Sequence, residues 1–431
     1  MPLLKLRRSK TRSSESHCNL QVLKEGDHIM EHLPRELVSN VFSRLPAKVL
    51  LLCKCVCKSW LDLITDPHFV TNYSVVYNNL QSQEEHLLVI RRPFFSGLKT
   101  YISVLSWNVN DPKELVSSNV LNPPYEHNSD HKYWTEIMGP CNGIYFLEGN
   151  PNVLMNPSLG QFKALPESPF QSPHGTYSFT DYAGFGFDPR RNDYKVVVIK
   201  DLWLKETDER QVGYWTAELY SLNSNSWRKV DAALPLPIEI WGSSRVYTYA
   251  NNCCHWWGFV EESGASEDVV LAFDMVNESF RKIKVPRIRD SSDEKFATLA
   301  PFEESTSIGV VVYPVRGSEK YFDVWVMRDY WNEGSWVKLY SVGPVQVIYK
   351  LVGFYGSNRF LWKDNNERLV LYDSEKTRDL QVYGKYDSIR AARYTESLVS
   401  LHRGNEFSHK CLSCSLVPDP LLHDTEYLIS F

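Results

Sequence analysis

The sequence predicts an α+β multidomain protein: a small N-terminal unit of three helices, then a large all-β domain built as a kelch-like β-propeller. Three observations carry this. Helical periodicity is confined to residues 29–70. From about residue 72 the chain becomes short apolar or alternating runs broken by Asn, Gly, Pro and Asp. A loose motif also recurs through that second region, roughly every 50 residues.

Composition sets the bounds. A chain of 431 residues is long enough for roughly two or three domains. Its 13 Trp, 24 Tyr and 20 Phe suit pleated surfaces, where flat side chains pack well. The net charge of −5 argues against general nucleic-acid binding, which needs a basic face to displace counterions. Residues 1–28 are polar and start with Lys5, Arg7, Arg8, Lys10 and Arg12. They read as a solvated, disordered leader or as a nuclear-localisation or transit-like tail. Neither a secretory core nor a membrane-length apolar stretch follows. Nine cysteines without a framework imply reduced thiols, hence a cytoplasmic or nuclear compartment.

Within residues 29–70, Leu33, Leu37, Val38, Val41, Phe42 and Leu45 recur at helical spacing, opposite Arg35, Glu36, Ser39, Asn40 and Ser43. Pro34 suits a first turn, and Pro46 forces a break. After it, AKVLLLCKCVCKSWLDLITDP reads as one or two further helices ending near Asp66-Pro67, with Val56, Trp60, Leu63 and Ile64 as the apolar stripe. Three thiols at alternate positions invite a metal or redox reading. On a regular helix, however, Cys55 points about 200° away from Cys53, while Cys57 shares its face, so they cannot converge on one ion.

The strand region divides into first strands over 71–138, a repeat-bearing domain over 139–400 and a C-terminal tail over 401–431. Its runs include HLLVI, TYISVLSW, YKVVVI, DVVLAFD, SIGVVVYP and RLVLYD. The repeating unit ends on a strand carrying an aromatic or apolar residue with basic neighbours, at Phe162, Trp227, Phe280, Trp336 and Leu380. Such units suggest four-stranded propeller blades. Their irregular spacing also admits a distorted propeller or another β-sandwich arrangement.

LPRELVSNVFSRLPAKVLLLCKCVCKSWLDLITDPHF resembles an F-box: Leu33, Pro34, Leu45, Pro46, Val56, Cys57, Lys58, Trp60 and Phe69 match that pattern in order, and Cys53 departs from it. NPSLGQFKALP, GFGFDPRRNDYKVVVI, AELYSLNSNSWRKV and VVLAFDMVNESFRKI resemble the F-box-associated domain of plant F-box proteins. Within that family, MGPCNGIYFL and the shared framework look most like the S-locus F-box and S-locus F-box-like subgroup. The resemblance implies a non-catalytic receptor subunit of a Skp–cullin–F-box ubiquitin ligase. Its F-box would dock on a Skp-type adaptor, which joins a cullin scaffold and a RING subunit. The β domain would hold a protein target, in the S-locus subgroup the secreted pistil ribonucleases (S-ribonucleases) of self-incompatibility.

The apolar helical face fits that expectation, since so small a unit cannot cover it alone. Adaptor contact is expected at Leu33, Pro34, Leu37, Val38, Leu45, Pro46, Leu50, Leu52, Val56 and Trp60. No catalytic, cofactor or metal site is expected. Cys253, Cys254 and His255 are consecutive on a strand and alternate between faces. Cys411 and Cys414, with His402 and His409, make half a zinc site. GFGFDP lacks the third glycine of a dinucleotide loop and reads as a close-packed strand. Candidate target loops are 123–134, 202–215, 260–268 and 289–296. The last three are acidic through Glu206, Asp208, Glu209, Glu261, Glu262, Glu267, Asp268, Asp290, Asp293 and Glu294. Two other readings are a lectin-like domain stacking sugars on Trp256, Trp257 or Trp331, and a kelch-type copper oxidase needing a His, Tyr and Cys cluster.

Overall fold

The computed structural model describes residues 33–402, apart from 81–83, 92–99, 109–115, 122–135, 208–209, 233–237, 241–246, 263–264, 289–294, 303–305, 318, 347, 356–358, 365, 367, 374–375 and 384–388. The basic leader and most of the C-terminal tail, including Cys411, Cys414 and His409, lie outside the described residues.

Four helices, not three, form the N-terminal unit: α1 (Arg35–Phe42), α2 (Ala47–Cys53), α3 (Lys58–Thr65) and α4 (Pro67–Leu80). Pro34 and Pro46 stand just before α1 and α2, and their carbonyls accept the N–H groups of Val38 and Leu50. The strands expected from residue 72 begin only at Glu84, because α4 continues to Leu80. Asp66 starts that helix: its Oδ1 accepts the N–H of His68 at 2.8 Å and of Phe69 at 3.3 Å. An Asp cap followed by Pro at the first helical position opens a helix. Phe69, Tyr73 and Tyr77, four residues apart, then face inward.

The three alternating cysteines do not share a helix. Cys53 ends α2, residues 54–56 turn, and Cys57 is extended ahead of α3. The expected common face of Cys53 and Cys57 is therefore absent.

The β domain is a six-bladed propeller. After β1 (Glu84–Arg91), β2 (Tyr101–Asn108) and β3 (Val116–Leu121), five blades follow in order. The first comprises β4 (Glu136–Cys141), β5 (Ile144–Glu148), β6 (Val153–Asn156) and β7 (Gln161–Ala164). The second comprises β8 (Thr176–Asp188), β9 (Asp193–Leu204), β10 (Arg210–Ser221) and β11 (Ser226–Lys229). In the third, the innermost strand is interrupted into β12 (Glu239–Ile240) and β13 (Tyr249–Ala250), which both pair with β14 (Cys253–Glu262). Outside β14 lie β15 (Ala265–Asp274) and β16 (Ser279–Lys284). The fourth blade comprises β17 (Lys295–Phe302), β18 (Ser307–Pro314), β19 (Glu319–Met327) and β20 (Trp336–Gln346). The fifth comprises β21 (Ile348–Tyr355), β22 (Arg359–Asp364), β23 (Arg368–Asp373) and β24 (Lys376–Tyr383).

Strand β25 (Arg390–Arg393) then returns to β1, with Leu87 opposite Arg393 and Ile90 opposite Arg390. The sixth blade thus joins both ends of the domain, in the order β25-β1-β2-β3. The first strands over 71–138 are consequently not a separate segment from the repeat region. Nor does the tail begin at 401: Leu401 is buried in the first blade's core, and its N–H reaches Gln161 Oε1 at 2.9 Å.

Period-two alternation places one row of each strand toward each neighbouring blade, so every blade interface has its own apolar cluster. Met138, Ile144 and Phe146 meet Phe185, Val196 and Tyr220, for example. Leu88, Ile90 and Ile102 meet Tyr145, Leu147 and Met155 across the closing interface. The five repeat markers Phe162, Trp227, Phe280, Trp336 and Leu380 all fall on the outermost strand of their blades. Trp227 and Trp336 donate from Nε1 to Pro166 O (2.7 Å) and Lys284 O (3.1 Å), backbone at or beyond the end of the preceding blade's outer strand.

Candidate functional site

Antiparallel pairing divides the propeller's connections between two faces. Turns from the innermost to the second strand, and from the third to the outermost, share one face; the remaining connections share the other. The helical unit sits on the first of these faces. Its core cluster of Val38, Phe42, Ala47, Leu50, Leu63, Ile64, Phe69, Tyr73 and Tyr77 is completed by Leu159, in the β6–β7 turn, and by Leu398, beyond β25.

A polar latch ties the segment that carries Leu398 to the helical unit. Glu396 Oε2 accepts the N–H of Ala47 at 2.6 Å and lies 2.8 Å from the Tyr73 hydroxyl. Asn78 Oδ1 accepts the N–H of Glu396 at 3.1 Å. Burial holds the Glu396 carboxyl above its ordinary value, and the Ala47 N–H and Tyr73 hydroxyl offset this only in part. Tyr145 Oη accepts the N–H of Thr395 and donates to Arg393 O, fixing the strand that feeds the latch. Sequence reasoning misses Glu396 entirely, since no local pattern surrounds it.

The ten residues expected to form the adaptor face divide into three groups. Leu33, Pro34, Leu37, Leu52 and Val56 are exposed, with Leu52 most of all at 71%. Leu45, Pro46 and Trp60 are half-buried, and the Trp60 ring meets Phe42 edge-on at 5.0 Å. Val38 and Leu50 are buried in the unit's own core. Helix α1 therefore carries two adjacent stripes: Val38 and Phe42 inward, Leu37 and Val41 outward.

Among the described residues, ten of the twelve exposed large apolar side chains lie between Leu33 and Leu80, leaving two for the whole propeller. The expected adaptor contacts omit the exposed Val41, Val49, Leu61, Val75, Val76 and Leu80. Val41 is on the apolar stripe read from the sequence but not among those contacts, and the expectation of strand from residue 72 hides Val75, Val76 and Leu80. A groove between α1 and α4, of about 710 Å³, is bridged by Arg35 and Asp66 at 3.1 Å.

The remaining candidates resolve into packing. Cys254 Sγ donates to Phe185 O at 3.1 Å between the second and third blades, while Cys253 lies on the opposite side of β14 and donates to Asn251 O. His255 is buried, its Nε2 2.7 Å from the Tyr330 hydroxyl; burial pulls its pKa down to about 4, so it is neutral at pH 7. Among the described residues no group of three or more His, Cys, Asp or Glu side chains could hold a metal ion. Gly184 and Gly186 make room for Trp256 and Tyr249: an added Cβ would meet them at 2.7 and 2.6 Å. The three candidate sugar platforms are occupied. Trp257 is buried, Trp256 donates from Nε1 to Ala183 O, and Arg281 covers Trp331 at 3.9 Å from its ring centre.

The described parts of 202–215 and 260–268 join second to third strands, and so belong to the face opposite the helical unit. Glu206, Glu261 and Glu267 are exposed there. Residues 123–134 and 289–294, with Asp208 and Glu209, lie outside the described residues, as does the Glu262 side chain.

Fold and faces define a two-module protein, a helical docking unit latched to one side of a propeller whose opposite side is built from loops. The chain belongs to the plant F-box proteins that carry an F-box-associated domain. Residues 95–419 match the F-box associated beta propeller domain, and residues 30–74 match the F-box-like family. The chain is 27% identical to F-box protein CPR1 of Arabidopsis thaliana over 390 residues, covering 86% of this chain and 89% of that protein. An F-box/kelch-repeat protein of the same plant is 22% identical, covering 72% of this chain and 79% of its own length.

Proposed function

We propose that this protein is the substrate-recognition subunit of a Skp–cullin–F-box ubiquitin ligase. The concentration of exposed apolar side chains on the F-box carries the reading. A helical adaptor covering Leu33, Leu37, Leu52 and Val56 would remove that surface from water, at about 1.5–3 kcal/mol per fully buried side chain. Cullin and RING subunits join through the adaptor. The protein itself needs no catalytic residue, because holding a target near a charged conjugating enzyme raises effective concentration. The two-faced architecture supports the same division of labour, with docking on one side and target loops on the other. Pull-down of a purified Skp-type adaptor tests this: wild type captures it, and Leu33→Ala with Pro34→Ala abolishes capture. A wild-type protein that binds no adaptor overturns the reading.

As the finer reading we propose secreted pistil ribonucleases as the target class, supported by the MGPCNGIYFL resemblance. Affinity capture from pollen with the proteasome blocked, followed by mass spectrometry, tests it; consistent recovery of other proteins instead would sink it. A cytoplasmic or nuclear location accompanies this function, and a fluorescent fusion locates the protein directly.

A further inference from the structure

Among the described residues the cysteines differ sharply in exposure. Cys141, Cys253 and Cys254 are buried in the propeller, where burial pushes the first two thiols up to about 12 and the third well above its ordinary value. Cys53 is half-buried against the helical core, and burial raises its pKa as well. Cys55 and Cys57, by contrast, are exposed. Unpaired cysteine is among the most buried residue types, so two exposed thiols two residues apart are unusual. They alternate with Val56, follow the most exposed leucine of the docking unit, Leu52, and are flanked by Lys54 and Lys58. Accessibility governs which thiols exchange with disulfides, and the exposed Lys58 favours an anionic co-reactant more than the half-buried Lys54 does.

We propose that Cys55 and Cys57 are a site of reversible S-thiolation by small acidic disulfides such as oxidised glutathione, and that an adduct there blocks adaptor docking. The second half of this inference rests on the proposed function; the first does not. In the exchange, a Cys55 or Cys57 thiolate attacks one sulfur of the small disulfide. The old S–S bond breaks, a protein–glutathione S–S bond forms, and the second glutathione leaves as a thiolate that takes up the proton lost by the cysteine. A peptide-sized, negatively charged group is then attached next to Val56 in the chain, where the adaptor would need dry apolar contact.

Full-length protein treated with oxidised glutathione is analysed by peptide mass mapping and by capture of a Skp-type adaptor. The expected result is an adduct on Cys55 or Cys57, none on Cys141, Cys253 or Cys254, and capture weakened about tenfold or more. Dithiothreitol restores capture, and the C55S/C57S double variant is insensitive to the oxidant. The single variants C55S and C57S each keep one thiol, and they keep the test decisive if the double variant loses capture by itself. Quantitative adduct on Cys55 and Cys57 with undiminished capture overturns the docking half, and adducts confined to other cysteines overturn the whole. If the untreated protein captures no adaptor, the ligase reading falls together with the docking half, while mass mapping still decides the thiolation site.

Discussion

The carboxylate of Glu396 accepts the backbone N–H of Ala47 at 2.6 Å, tying the segment beyond the closing strand to the first turn of α2. The Tyr73 hydroxyl has one hydrogen but lies 2.8 Å from both Glu396 Oε2 and Leu45 O. A protonated Glu396 would resolve that competition by donating to Tyr73, which could then donate to Leu45. Burial raises the Glu396 pKa in the same direction. The docked state therefore binds this proton more tightly than an unfolded chain does. By linkage, the group's contribution is fully present below the ordinary carboxylate range and is lost as pH rises through the raised value. Glu396→Gln should flatten that dependence. Glu396→Ala should leave Ala47 unpaired and cost about 1–3 kcal/mol. Urea denaturation across pH measures both, and hydrogen exchange in α2 and α4 localises the loss; an E396A protein with unchanged exchange there would count against the latch.

Some of this architecture was legible in the sequence, for physical reasons. A blade's outermost strand needs a bulky side chain to cover its sheet, so Phe162, Trp227, Phe280, Trp336 and Leu380 marked five blades. The sixth gave no such signal, because no single window contains it: β1 to β3 and the four-residue β25 lie at opposite ends of the domain. Periodicity likewise found the apolar stripes of the F-box but could not say what covers them. Leu50 and Leu52 look alike in sequence, yet one is buried with Leu159 and Leu398 nearby in the same core while the other faces outward. Asp66-Pro67 reads as a helix end, yet the pair that ends α3 also opens α4, with Asp66 as its cap.

A second buried charge group clamps two blades. Lys195 Nζ lies 2.7 Å from Asp188, 2.9 Å from Glu278 and 2.8 Å from Met275 O, joining the β8–β9 turn to the β15–β16 turn. Burial alone would raise both carboxyls, but hydrogen bonds and charge from Lys195, with Arg228 at Glu278, hold them below their ordinary values. Their stabilisation is present above the ordinary carboxylate range and lost as pH falls through the depressed values. Lys195→Met should cost about 1–3 kcal/mol in chemical denaturation, since it removes the buried cation that Asp188 and Glu278 share and leaves them the more exposed Arg191 and Arg228. It should also make the variant's deficit shrink toward acid pH. A deficit independent of pH would mean that packing, not charge, holds these turns.

The division of the F-box face predicts that stability and adaptor capture separate cleanly. Leu37→Ala with Leu52→Ala removes exposed side chains and should change stability by about 0.5 kcal/mol or less, while weakening adaptor capture about tenfold or more. Leu50→Ala opens the unit's core and should cost about 2–5 kcal/mol before any effect on capture is considered. Thermal melts beside pull-downs distinguish the two. Equal destabilisation by both variants would show that Leu37 and Leu52 are core residues, contrary to their exposure.

Closure by β25 makes the propeller depend on its last strand. That strand supplies only four residues, yet it is the innermost strand of its blade and contributes Arg390, whose Nε lies 3.0 Å from Glu136 Oε2 on β4. Truncation before Arg390 would bare the ladder edge of β1 and break the ring between β21 and β4. It would also remove Glu396 and Leu398 from the F-box interface. Exposed strand edges recruit other chains, so the truncated protein should aggregate and lose its cooperative unfolding transition. Sedimentation and circular dichroism on matched full-length and truncated proteins check this. A monomeric truncation product with a sharp transition would mean that the neighbouring blades hold the ring without its closing strand.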